Sequence, residues 1–149
     1  LDGTDNFPTK FLINDACVMA KKPFCHAGIL RFTGQLMTYV PDQGPCYRCV
    51  FKNPPPKAAV PTCEQAGVIG AMAGIIGCLQ AMEAIKYLTG AGELLTGYLL
   101  TYDGLKGDFR KIRLPKDPDC AVCSDHPTIT ELIDYEQVQC DWDPKNPLN

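Results

Sequence analysis

The chain has 149 residues, a length that suits one globular domain with a substantial core. Its residues are 46% hydrophobic and 21% charged, with a net charge of −3. This mild acidity, without a run of Lys or Arg, argues against a nucleic-acid partner, and the first residues lack the basic and apolar regions of a signal peptide. The chain begins without methionine, on residues typical of a strand end, so we expect it to be part of a longer protein.

The first predicted elements are a helix and a hairpin. Asn6-Phe7-Pro8 is typical of a helix start and Pro23 of its end. Two strands are then predicted, at 24–32 and 35–40, with Thr33-Gly34 as the turn between them. Helical periodicity predicts that the buried face of the first helix is apolar and consists of Leu12, Ala16, Met19 and Ala20.

A proline-rich segment follows, from Pro41 to Pro61, and favours an exposed crossover loop without a helix or an inner strand. The next segment is the most hydrophobic of the chain and predicts a long helix that ends at Gly90-Ala91-Gly92. Its motif Gly70-x-x-x-Gly74 would also suit a membrane helix, but polar residues from Gln80 onward leave fewer than the roughly 20 apolar residues of a span. We therefore expect no membrane segment, and a core helix whose glycines admit a close neighbour.

The last part of the chain predicts two strands, at 98–102 and 109–114. A capping-box pattern at Thr128–Glu131 predicts a short helix after them, and residues 137–149 form a polar tail. The alternation of helices and strands indicates the α/β class.

Four of the nine cysteines form two Cys-x-x-Cys pairs, Cys46 with Cys49 and Cys120 with Cys123. Two intervening residues let one tight turn aim both sulfurs at one ion, so the pairs predict a structural tetrahedral zinc that joins distant parts of the chain. Disulfides or a redox dithiol are the alternative, but a thioredoxin-type pair would begin a helix after a strand. The odd number of cysteines and the lack of a secretory signal favour a metal site in a reducing cytoplasm.

Cys63 and an aspartate cluster are the candidates for chemistry. Thr62 has the form of a helix N-cap, so Cys63 would lie in the first helical turn, where the helix dipole favours a thiolate; an inert, half-buried cysteine is the alternative. Asp2, Asp5 and Asn6 lie between a strand end and a helix start, where a carboxylate suits Mg²⁺ with phosphate; an Asx turn followed by an N-cap is the alternative. His26 and His126 are isolated and are interpreted as structural residues.

Together, several motifs resemble the ThiF/MoeB/HesA superfamily of sulfur-carrier adenylyltransferases. In chain order they are Asp2–Asn6, Gly44–Cys49, Thr62-Cys63 with Ala66-Gly67-Val68, Leu79–Lys86, Tyr102-Asp103 and Cys120–Cys123. The resemblance covers residues 1–136, and it implies the carboxy-terminal part of a Rossmann-like ubiquitin-activating-enzyme fold, with a mixed sheet, helices and a zinc site. The proline-rich loop and the segment 126–135 most resemble members that serve molybdopterin synthase or tRNA thiolation; other members serve thiamine synthesis.

The resemblance implies a reaction. Family members use Mg-ATP to adenylate the C-terminal Gly-Gly carboxylate of a small ubiquitin-like sulfur carrier, and some then transfer sulfur through a cysteine that matches Cys63. Asp5 and Asn6 match the ATP-binding pair, Asp5 with Mg²⁺, and the four paired cysteines match the zinc ligands. A homodimer is expected for the parent protein.

One motif of the family is missing. The Gly-rich nucleotide loop, with its Lys and Arg, precedes the segment that matches Asp5 and occurs nowhere in this chain. We therefore expect the chain to be inactive alone, since adenylyl transfer depends on positioned cations and backbone N–H groups. The alternative function is a non-catalytic binding module, stabilised by zinc, that docks a ubiquitin-like protein or a partner subunit.

Overall fold

The structure is a computed structural model that describes residues 1–55, 66–133 and 135. Its four strands form one sheet in the order β1-β2-β3-β4, and every neighbouring pair is antiparallel. The α/β class is confirmed, but the described strands do not form the expected mixed sheet. The hairpins β1–β2 and β3–β4 pair antiparallel, as hairpins do, and β2–β3 is antiparallel as well. In chain order the elements are α1 (Phe7–Met19), β1 (Phe24–Leu30), β2 (Thr33–Tyr39), α2 (Tyr47–Val50), α3 (Gly70–Thr89), β3 (Tyr98–Asp103) and β4 (Asp108–Arg113).

The turn of the first hairpin lies two residues before the predicted one. Leu30 pairs with Thr33, so Arg31 and Phe32 form the turn, and Arg31 adopts a left-handed φ of 52°. Gly34 is instead part of β2, where a Cβ atom would lie 2.4 Å from Cγ1 of Ile76. This glycine permits the close approach of α3 to the sheet.

Helix α1 begins where the sequence predicts, because the Asn6 side chain accepts a hydrogen bond from the backbone N–H of Thr9 at 2.9 Å. Its predicted apolar face is wrong. Leu12 and Met19 are each 37% exposed, and the buried residues are Lys10, Phe11, Asn14 and Asp15. Three of these four are polar, so their burial depends on partners elsewhere in the chain.

Helix α3 packs on β1 and β2 through one side and buries Met72, Ile76, Gln80 and Glu83. Its glycines do not admit the expected neighbour: a Cβ atom at Gly70, Gly74 or Gly77 would meet nothing within 4 Å in the described residues. In the described part of the chain, α3 is the one helix long and apolar enough to cross a membrane, and 22% of its apolar window is buried; a core helix passes the same test.

Two local predictions also fail near the cysteines. The proline-rich segment contains the single helical turn α2, whereas residues 128–133 form no helix. The backbone N–H groups of Thr128 and Ile129 donate instead to the carbonyl of Ala121, at 3.0 and 2.9 Å. The capping-box residues therefore fasten the chain to the second cysteine turn.

The main core lies between α1, the first hairpin and the two cysteine turns. Ring contacts hold it together, with the Phe11 and Tyr47 ring centroids 5.1 Å apart and those of Phe24 and Tyr39 5.6 Å apart. Its buried members are Phe11, Phe24, Met37, Tyr39, Cys46, Tyr47 and Cys120. Two of the predicted zinc ligands thus belong to the core itself.

Candidate metal centre and nucleotide-binding segment

The structure brings together the four paired cysteines. Cys46 caps α2 and Cys49 lies within it, while a tight turn carries the second pair. The Sγ atoms are 4.0 Å apart for Cys46 and Cys49, 3.6 Å for Cys46 and Cys120, and 3.4 Å for Cys49 and Cys123. All four sulfurs lie within 4.8 Å of one another. In a tetrahedral zinc–thiolate centre with bonds of about 2.3 Å, sulfurs are about 3.8 Å apart, so these residues could hold one such ion.

Hydrogen bonds among the thiols shift the pKa values of the four cysteines in opposite directions. The thiol of Cys123 holds the pKa of Cys120 well below its usual value, whereas the hydrogen bond to Cys120 raises the pKa of Cys46. Cysteine binds metal as the thiolate, so metal binding at this cluster would release protons. Cys25, outside the cluster, differs, because burial raises the pKa of its thiol to about 11.

A buried ion pair fastens the first cysteine turn to α1. Arg48, between Cys46 and Cys49, donates from Nε and Nη2 to the two carboxylate oxygens of Asp15, each at 2.7 Å. Both side chains are nearly inaccessible to solvent. The guanidinium carbon also lies 4.7 Å from the centre of the Phe11 ring, and Nη2 donates to the hydroxyl of Tyr135. Neither Arg48 nor Asp15 was predicted from the sequence, although a charged residue between two metal-ligand cysteines was an available signal.

A second buried cluster centres on Asp2. Its Oδ2 accepts hydrogen bonds from Nζ of Lys10 at 3.0 Å and from Nδ1 of His26 at 2.7 Å. Its Oδ1 accepts from the backbone N–H and the hydroxyl of Thr4, at 2.9 and 2.7 Å. Although burial alone would raise the pKa of Asp2, these hydrogen bonds hold it well below its usual value. His26 is thus a structural partner, as predicted, and burial lowers its pKa.

Asp2 and Asp5, grouped together by the sequence, have different environments. Asp2 is 2% exposed, whereas Asp5 lies on the surface just before α1. The Asn6 side-chain amide donates to Oδ1 of Asp5 at 3.2 Å, and its carbonyl oxygen caps the helix. The Asx turn and the N-cap considered as an alternative are therefore both present. They account for Asp2 and Asn6, whereas the Asp5 residue is exposed.

Two predictions lie outside the described residues. Cys63, with its capping residue Thr62, falls in the segment 56–65, and the tail at 137–149 falls after residue 135. The placement of Cys63 in the first turn of a helix therefore stays a prediction.

The profile of the ThiF family matches residues 1–122. The chain belongs to the ThiF family. Curated relatives carry the name adenylyltransferase and sulfurtransferase MOCS3: the Aedes aegypti protein is 52% identical over 92% of this chain and 32% of its own length. The Mus musculus protein is 52% identical over 91% of this chain and 30% of its own length. The chain thus spans about a third of the length of the curated relatives it matches.

Among solved structures, the fold is similar to that of Escherichia coli MccB. The crystal structure of MccB with succinimide superposes with a TM-score of 0.68, at 17% identity, over 84% of this chain and 38% of MccB. The structure with ATP superposes with a TM-score of 0.63, at 18% identity, over 78% of this chain and 37% of MccB. At these identities the likeness concerns the fold alone.

Proposed function

We propose that the parent protein is an adenylyltransferase that activates the C-terminal Gly-Gly of a ubiquitin-like sulfur carrier. The observation that carries the proposal is the match of residues 1–122 to the ThiF family. It is supported by relatives named adenylyltransferase and sulfurtransferase that are about half identical to this chain. Because the chain spans about a third of those relatives, the activity is assigned to the parent protein and not to these residues alone.

In this proposal the exposed carboxylate of Asp5 binds Mg²⁺ and Asn6 contacts the nucleotide. The carrier's terminal carboxylate attacks the α-phosphorus of ATP, a new P–O bond forms, and the bond to the departing pyrophosphate breaks. Mg²⁺ held by this carboxylate would balance the negative charge of the triphosphate. Asp2 does not share this role, because four internal hydrogen bonds already occupy its two oxygens.

Cys63 is proposed to act after adenylation, as the thiol that attacks the acyl-adenylate and displaces AMP in the transfer of sulfur. The four paired cysteines are proposed to hold one structural zinc, which joins α2 to the chain around Cys120 and Cys123. We further propose that the parent protein is a cytoplasmic homodimer. Molybdopterin synthesis or tRNA thiolation is the pathway that the motifs favour.

The test separates adenylation from sulfur transfer in the full-length parent protein. Asp5→Ala should lower ATP–pyrophosphate exchange with the carrier by about 10²–10³-fold, because charge stabilisation of the reacting phosphates is lost. Cys63→Ala should leave exchange nearly intact and stop formation of the carrier thiocarboxylate, as measured by mass spectrometry of the carrier. The matched control is Asp108→Ala, an exposed carboxylate at the start of β4, which should change neither step.

The outcomes assign the roles individually. Normal thiocarboxylate formation in Cys63→Ala would mean that sulfur arrives directly from another protein's persulfide. Unchanged exchange in Asp5→Ala would remove Asp5 from the nucleotide site. A parent protein that binds the carrier but gives no exchange would favour a non-catalytic binding module.

A further inference from the structure

Asp2 lies three residues before Asp5 and is tightly constrained by its contacts. The Asp2 side chain is 1% exposed, and its oxygens accept hydrogen bonds from Thr4, Lys10 and His26. Lys10 also donates to the carbonyl of Ala27 at 2.8 Å, which ties α1 to β1. The carboxylate therefore joins its own segment to both elements that flank it.

The backbone of Asp2 is held as firmly. Its N–H donates to the carbonyl of Cys25 in β1 at 2.9 Å. Nε2 of Gln80, a buried residue of α3, donates to the carbonyls of both Asp2 and Cys25 at 2.8 Å. Elements α1, β1 and α3 thus all donate or accept hydrogen bonds at this one residue.

We infer that Asp2 is a positioning residue that holds Asp5 and Asn6 in place for Mg-ATP, an inference that rests on the proposed function. The Asx turn from Asp2 to Thr4 determines how the chain leaves the buried cluster, and Asn6 then begins α1. Asp5, between these two fixed points, is presented on the surface by a preorganised segment. Such support around a ligand-binding carboxylate typically changes metal affinity by about 10–100-fold when it is removed.

The experiment compares two carboxylate-to-amide substitutions in the full-length parent protein. Asp2→Asn removes the negative charge that pairs with Lys10, while Glu83→Gln alters another buried carboxylate, one that pairs with Lys86 and accepts from Thr38 and Leu95. Both variants should lower the melting temperature, because each removes the negatively charged partner of a lysine. Only Asp2→Asn should raise the Kd of Mg-ATP, measured by calorimetry, by about 10-fold or more.

A second readout needs no nucleotide. Amide hydrogen exchange at residues 4–6 of the free protein should accelerate by about 10-fold or more in Asp2→Asn and stay unchanged in Glu83→Gln. If Asp2→Asn does not fold, Thr4→Val tests the positioning role instead. It removes the 2.7 Å hydrogen bond from the Thr4 hydroxyl to Oδ1 of Asp2. Thr4→Val should raise the Kd of Mg-ATP several-fold.

Equal Kd changes in Asp2→Asn and Glu83→Gln, or an unchanged Kd in Thr4→Val when Asp2→Asn is unfolded, would overturn the positioning role. A different result would contradict the proposed role of Asp5 in nucleotide binding. In that case Asp5→Ala would bind Mg-ATP as tightly as the wild type. Accelerated exchange at residues 4–6 together with that result would mean that Asp2 orders the segment but that Asp5 serves another ligand.

Discussion

The cysteine cluster and the Asp2 cluster both bury polar groups, but they differ in how their charge is compensated. Around Asp2 the compensation is internal, because Lys10 supplies the positive charge and His26 a further hydrogen bond. The four sulfurs turn toward one another at 3.4–4.0 Å in the pairs that are in contact, an arrangement suited to an added cation. The chain thus completes one cluster from its own residues, whereas the other could hold an added ion.

Metal removal should produce the largest effect, because binding of structural zinc contributes about 10–16 kcal/mol in small zinc domains. Elemental analysis of the purified protein should find one zinc per chain, and X-ray absorption should place it at about 2.3 Å from sulfur. Cys49→Ser should lose this zinc and melt at a markedly lower temperature. Cys78→Ser, at an exposed position of α3, is the matched control and should keep it. Zinc-free wild-type protein, or two disulfides in its place, would contradict the prediction.

Disruption of the Arg48–Asp15 pair should come next. Arg48→Met leaves the Asp15 carboxylate buried without its cation, which should lower the free energy of unfolding by about 3–5 kcal/mol in chemical denaturation. The double variant Arg48→Met with Asp15→Leu should recover most of this loss, because no buried charge remains.

The exposed pair of Lys52 and Asp117 provides the control for that series. The Lys52 side chain is 70% exposed, so Lys52→Ala should leave stability unchanged within measurement. Equal effects of Arg48→Met and Lys52→Ala would show that burial of the Arg48 pair has no energetic consequence.

The smallest expected effect is a pH dependence from His26. Burial lowers its pKa from 6.5, so the unfolded chain takes up a proton more readily and stability should fall as the pH drops below about 6.5, by at most about 1.4 kcal/mol per pH unit. The groups around it are Asp2, Lys10 and the ring of Tyr47. Because the pKa of Asp2 lies below its usual 3.8, its own contribution should be lost only below about pH 4.

Denaturation of the wild type and His26→Gln at pH 7 and pH 5 measures this contribution. The stability difference between the two proteins should change with pH in the direction of a weaker wild type at pH 5. A wild type that gains stability over His26→Gln as the pH falls would mean that the imidazole is protonated in the folded state.

Local signals predicted the elements that depend on local geometry. The start of α1 follows from Asn6, whose side chain caps the helix, and strands β3 and β4 lie within one residue of the predicted ranges. The predicted position of the hairpin turn was wrong because a glycine can permit either a turn or the close approach of another element. Gly34 permits close packing against Ile76. The helix after Thr128 was wrong because the carbonyl of Ala121 competes for the same N–H groups.

The sequence by itself determined the ThiF resemblance and the four candidate metal ligands. Cys-x-x-Cys spacing is a local feature, and it can be recognised without knowing how the rest of the chain folds. Only the tertiary structure decided which of the two early aspartates is buried and which face of α1 points inward. Periodicity favours an apolar face, whereas Lys10 and Asp15 are buried through partners that lie beyond α1 or before it, Asp2 and Arg48. A charged side chain is buried only where an oppositely charged or hydrogen-bonding partner lies next to it. Here those partners lie outside the helix, so only the folded chain places them together.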